Sequence, residues 1–133
     1  MTSSQWDRDR AREFCRAWLP AWTGNRPERL LSYYSDDAFY SDPAVREGIV
    51  GREHLLNYFR KLLAAYPEWI WIHRRSLPVP DGFLNYWEAR LNGAPDAPSW
   101  EGVCVVQIRG DLIYRNEVYL DRAAMPAPLK RGR

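Results

Sequence analysis

A chain of 133 residues is long enough to bury one core and too short for two, so a single domain is expected. Its 46% apolar and 27% charged content is that of a soluble globular protein, and no stretch approaches the roughly 20 uninterrupted apolar residues of a membrane span. With 19 basic and 17 acidic side chains intermixed and a net charge of +2, the chain carries no electrostatic footprint for nucleic acid.

The amino terminus, MTSSQWDRDRAREF, is charged throughout and lacks the apolar core of a secretory signal, which points to a cytoplasmic setting. Ser4 and Asp7 stand at capping-box spacing, and Ala11, Phe14, Cys15, Trp18, Leu19 and Trp22 recur at three- and four-residue steps. They predict an amphipathic first helix that Pro20 kinks or ends. Thr23-Gly24-Asn25 marks a turn, and Pro27 with Glu28 opens a short second helix carrying Leu30, Leu31 and Tyr34 and stopping near Asp36-Asp37. AFYSDP then reads as a brief strand closed by Pro43, which has no N–H to give a ladder. A loop through Gly48 and Gly51 leads to a third helix from Arg52 to Tyr66. Its apolar stripe is Leu55, Leu56, Phe59, Leu62, Leu63 and Tyr66, with His54 off that stripe and on the surface.

Everything after Pro67 reads as strand: EWIWIHRRSL, a turn at Asp81-Gly82, FLNYWEARL, the loop NGAPDAPS, WEGVCVVQI, a turn at Arg109-Gly110-Asp111, and LIYRNEVYLD. Four consecutive strands with short links make an antiparallel meander, apolar on one face and covered there by the helices. Residues 125–133, opening on MPAP and ending in Lys130, Arg131 and Arg133, read as a disordered basic tail, which leaves 1–124 as the domain. The two cysteines, Cys15 in a helical pattern and Cys104 in a strand pattern, make neither a disulfide framework nor a zinc site and are expected to be reduced.

The segment YSDDAFYSDPAVREGIVGREHLLNYF, the four closing strands and the terminal Tyr119-x-Asp121 resemble the nuclear transport factor 2-like superfamily. That group includes ketosteroid isomerases, SnoaL-type polyketide cyclases and limonene epoxide hydrolases, and the resemblance runs from Arg10 to about Asp121. It implies an α+β fold: three N-terminal helices packed in a curved antiparallel sheet, a cone-shaped barrel with an interior pocket open at one end. It also aligns Asp42 with the general base of the steroid isomerases. The helix-1 tyrosine that serves as an oxyanion donor in those enzymes falls on Trp18, and the protonated aspartate falls near Cys104, so both donors are missing. The Arg-x-Asp pair of the epoxide hydrolases has no counterpart in GVCVVQI. Preorganised oxyanion donors often supply most of an enzyme's transition-state stabilisation, so a plain steroid isomerase is disfavoured, and epoxide hydrolysis with it.

Strand alternation puts Glu117, Tyr119 and Asp121 on one face, and if that face points inward, Glu117 joins Asp42 as a second acid/base carboxylate. Otherwise Asp42 caps a turn beside Pro43, and Glu117 faces water or pairs with Arg90 or Arg115. His73 groups with Trp69, Trp71 and Arg75, as a surface group or, near Asp42, as a proton shuttle. Aromatic residues make up 14% of the chain, and Trp18, Tyr40, Tyr58, Trp87 and Tyr119 are candidates for the pocket wall. The substrate-binding set is therefore Trp18, Tyr40, Tyr58, His73, Trp87, Cys104 and Tyr119, around catalytic Asp42 and Glu117.

These readings point to a cofactor-independent and metal-independent isomerase, cyclase or dehydratase acting on a small apolar or aromatic, polycyclic or terpenoid ligand. The alternative is a non-catalytic ligand-binding or dimerisation module of the same fold. No nucleic-acid or membrane partner is implied. The apolar Val103 and Val105 on the other face of their strand suggest a homodimer through the sheet.

Overall fold

The computed structural model describes residues 6–126. Asp7 caps the first helix, α1 (Arg8–Trp18), by accepting the Arg10 N–H at 2.8 Å; Ser4 lies outside the described residues. The α-helix stops before Pro20, and the chain continues as one 3₁₀ turn, Leu19–Trp22, that delivers Trp22 into the core. This turn is tied to the start of the sheet from both sides. The Thr23 hydroxyl donates to the Trp69 carbonyl at 2.7 Å, and the Trp69 indole N–H donates to the Trp22 carbonyl at 2.6 Å.

The second helix, α2 (Pro27–Leu31), is shorter than its sequence suggests. Tyr34 opens strand β1 (Tyr34–Ser41) because tertiary bonds outweigh local propensity there. The Ile113 N–H donates to the Tyr33 carbonyl at 2.8 Å, and the buried Tyr34 hydroxyl accepts from the Asn116 amide at 3.0 Å. A two-residue strand, β2 (Ile49–Val50), precedes α3 (Arg52–Ala65), and then come β3 (Ile70–Val79), β4 (Gly82–Arg90), β5 (Ser99–Arg109) and β6 (Leu112–Leu120).

The six strands form one curved, unclosed sheet in the order β2-β1-β6-β5-β4-β3, antiparallel except where β1 lies parallel to β6. Its inner face carries Phe83, Asn85, Trp87, Trp100, Cys104, Val106, Asn116 and Val118, packed with Cys15 and Trp18 of α1 and Leu55, Phe59 and Leu63 of α3. This is the α+β cone that the sequence implies. None of the helices among the described residues is long and apolar enough to cross a membrane.

Two glycines have distinct tasks, and that of Gly82 differs from the turn its motif suggests. The β3–β4 turn is built on Pro80 and Asp81, with Asp81 at φ 66°, while Gly82 is already the first residue of β4. On β5, a Cβ at Gly102 would meet the Trp87 ring and the Tyr119 carbonyl, both at 2.4 Å. The glycine makes room for a buried indole. Gly102→Ala is therefore expected to destabilise the fold by about 1–3 kcal/mol, read as an earlier midpoint in urea; an unchanged midpoint would contradict this packing.

Candidate small-molecule site

A half-open cavity of about 350 Å³ lies at the end of the sheet where β1 and β6 finish and β3 begins. That size is in the range of small-molecule pockets. The α3 face Tyr58, Lys61, Leu62 and Ala65, at helical spacing, forms one wall. Trp22, Trp69 and Trp71 form another, and Val118 and Leu120 line the sheet side. Met125 and Pro126 complete the rim, where the Tyr66 hydroxyl donates to the Pro126 carbonyl at 3.1 Å. The tail expected to begin at Met125 thus starts as part of the cavity; Lys130, Arg131 and Arg133 lie outside the described residues.

Asp42 lines this cavity directly after β1. Its Oδ2 accepts from two phenols, Tyr58 at 2.7 Å and Tyr40 at 2.8 Å, and its Oδ1 accepts the N–H groups of Ala44 at 2.8 Å and Val45 at 3.2 Å. Asp42 caps the turn beside Pro43, as its structural reading expects, and its side chain also lines the cavity. Burial, then the neighbouring Asp42 charge, hold the Tyr40 hydroxyl well above its ordinary pKa, so it stays a donor. Tyr58 is only half-buried and shares the cavity wall.

Asp42, Tyr40 and Tyr58 are the sequence-derived candidates that line the cavity. Trp18, Trp87 and Cys104 point inward but lie in the core beyond it, where Trp22 and Trp71 stand in front of the two tryptophans. Burial holds the neighbouring Tyr34 hydroxyl well above its ordinary pKa, and the Trp18 indole N–H has no hydrogen-bond partner among the described residues. Cys104 accepts from the Asn85 amide at 3.5 Å, and burial pushes its thiol up to about 12. His73 is also on the inner face, opposite Trp87, with Nδ1 bonded to the Asn85 Oδ1 at 2.6 Å and not to Asp42.

Glu117 and Tyr119 are on the other side of the sheet. Asn116 and Val118 take the inward positions of β6, so the alternation turns Glu117 and Tyr119 to the outer face, where Tyr119 is 53% exposed. Glu117 is the partner of Arg115 expected in its structural role, and it also accepts the Tyr119 hydroxyl at 2.6 Å. It is no pocket carboxylate.

The lining residues that sequence reasoning left out of the site are chiefly Lys61, Trp22, Trp71 and Tyr66. The first had a signal in its position three residues after Tyr58, and Trp71 shares His73's strand face.

Burial raises the Glu117 carboxyl, but the Tyr119 and Arg115 hydrogen bonds and the guanidinium charge carry it below its ordinary value of 4.5. A carboxyl lowered in the folded state contributes stability above the unfolded value and loses that contribution as pH falls through the folded one. Thermal unfolding of Glu117→Gln should therefore show a deficit at pH 7 that narrows below about pH 4.5. A deficit constant with pH would assign the effect to something other than the carboxylate.

Residues 15–116 match the SnoaL-like domain family, and the chain belongs to it. No functionally curated protein matches the sequence. Among solved structures, one of ketosteroid isomerase-like fold from Catenulispora acidiphila, in complex with trimethylamine, is 22% identical. It covers 84% of this chain and 88% of its own, with a TM-score of 0.69. A SnoaL-like protein of unknown function from Burkholderia thailandensis is 19% identical, covering 84% and 93%, at a TM-score of 0.70. TerC co-crystallised with polyporic acid is 14% identical, covering 84% and 92%, at 0.67. These likenesses establish the fold.

Proposed function

We propose that the chain is a cofactor-independent enzyme that moves a proton on a ring-bearing carbonyl compound, with Asp42 as the base. The observation that carries this reading is the cavity-lining carboxylate held by one buried and one cavity-facing phenol. A carboxylate has about four lone-pair sites, and Tyr40, Tyr58, Ala44 and Val45 engage all four. Tyr58 is the donor that a ligand can reach. Its hydroxyl turns from Asp42 to the substrate carbonyl oxygen, which frees Oδ2 to take the proton from the adjacent carbon. The C–H electron pair becomes the enolate π bond, the carbonyl pair moves to oxygen beneath the Tyr58 donor, and Asp42 returns the proton to carbon. The step is a shift of one proton with no net oxidation.

Tyr58 would supply the oxyanion donor that the replacements at Trp18 and Cys104 remove. Deuterium uptake at the α-carbon of 2-tetralone, followed by NMR in D₂O, tests the reading. The wild-type protein should accelerate exchange, and Asp42→Asn should lower that acceleration by about 100-fold or more, with folding verified by circular dichroism. A second reading, a non-catalytic binding module, is favoured by the same full set of bonds on Asp42. Equal ligand stabilisation of wild type and Asp42→Asn, with no exchange by either, would decide for it.

The homodimer belongs to this proposal. The half-buried Leu84, Tyr86, Val103 and Val105 lie beside exposed Tyr119 on the outer sheet face. Light scattering should give twice the chain mass of 15.7 kDa, reverting to that mass in Tyr119→Glu. A monomeric wild type would remove the dimer from the reading. A cytoplasmic setting agrees with Cys15 and Cys104, which are free and buried.

The neighbours do not transmit a ligand. One was bound to an amine and another to an acid, so the charge of this chain's ligand depends on its own cavity.

A further inference from the structure

We infer that the ligand of this cavity is an amphipathic anion, a flat apolar or aromatic body bearing one carboxylate-like group that sits against Lys61. The inference rests on the ligand-binding reading above and narrows its substrate class.

Two lining side chains are charged, Asp42 and Lys61, and their circumstances differ. Asp42 is matched by two hydroxyls and two backbone N–H groups. Lys61 has no hydrogen bond and no ion pair among the described residues, and its distance from the Asp42 oxygens exceeds the 4.0 Å of a salt bridge. The neighbouring Arg60 is paired with Glu28 instead. Among the described residues Lys61 is therefore the cavity's one charged side chain without a polar partner.

The position of that charge fits an amphipathic ligand. Lys61 follows Tyr58 by one helical turn and precedes Leu62 on the same wall, and it is exposed, so its apolar stem can lie along the wall while its ammonium reaches water. Apart from Asp42, the rest of the lining is indole, phenol and aliphatic. A ring system placed there directs a polar substituent outward to three N–H donors, whose bonds to a carboxylate are charge-assisted. A neutral substituent forgoes the charge, and a cationic one is repelled.

Aromatic walls can also attract cations through their faces, but that requires several ring faces turned on one point. The rings here are turned on one another: Tyr66 stacks on Trp69 at 4.6 Å, Trp69 meets Trp71 edge-on at 5.0 Å, and Trp71 lies 5.4 Å from Trp22. The arrangement is a packed wall and no cage.

Isothermal titration of the full chain with three probes of one shape, 2-naphthoate, 2-naphthylmethanol and 2-naphthylmethylammonium, tests the inference. Wild type should bind the acid about fivefold more tightly than the alcohol, and the ammonium least. Lys61→Gln should bring acid and alcohol to within about twofold of each other, and Lys61→Glu should invert the order of acid and ammonium. Lys61 is exposed, so both variants should keep the wild-type circular dichroism spectrum. Equal binding of acid and alcohol, a preference for the ammonium, or an acid preference that persists in Lys61→Gln would overturn the inference and leave ligand binding standing. Failure of all three probes to bind would overturn both.

Discussion

Trp22 sits where the chain leaves α1 through Pro20, and its ring meets those of Trp18, Tyr40, Phe59, Trp69 and Trp71. Its carbonyl receives the Trp69 indole N–H, so the same residue joins the first helix, the third helix, the first strand and the start of β3. A proline-terminated helix fixes where that indole enters, and the rings that pack on it decide what space remains. Toward the core there is none, because Trp18 and Trp87 fill the space behind Trp22 and Trp71. Toward the rim the rings stop, and the cavity is what is left between them and α3.

This placement explains why the site differs from the one that the superfamily resemblance implies. The two inner positions where that resemblance expects oxyanion donors hold Trp18 and Cys104, and both have become core. The carboxylate position survives at Asp42 because it lies nearer the opening, and its new companions come from β1 and α3. A tyrosine on β1, Tyr40, and another on α3, Tyr58, converge on one oxygen of Asp42. The polar chemistry has moved outward with the space.

The order of the helices and strands was legible in the sequence because each has a strong local cause: Pro20 ending α1, the apolar stripe of α3, and Gly110 at φ 65° between β5 and β6. Asp42 was legible through the Asp-Pro step. The error at Glu117 and Tyr119 has a specific origin. Alternation divides a strand into two faces without saying which is inner, and polar Asn116, buried against Tyr34, disguises the inward set that Val118 and Leu120 otherwise mark. The length of α2 was misjudged because the bonds that draw Tyr33 and Tyr34 into the sheet come from Ile113 and Asn116, far along the chain. The cavity wall at Trp22 and Tyr66 could not be inferred, since both belong to stripes that read as core.

The parallel pairing of β1 with β6 has a consequence in time. Asp42 follows Ser41, and Ser41 finds its place in the sheet opposite Glu117, so the carboxylate is positioned by a strand that is synthesised after the other five. Helices α1 and α3 can form while the chain is still emerging, but β1 then has only the two residues of β2 beside it. Such distant pairings are slow to close, and an incomplete chain holds the rings of the wall without the carboxylate's final position. The carboxylate therefore reaches its place only when β6 docks.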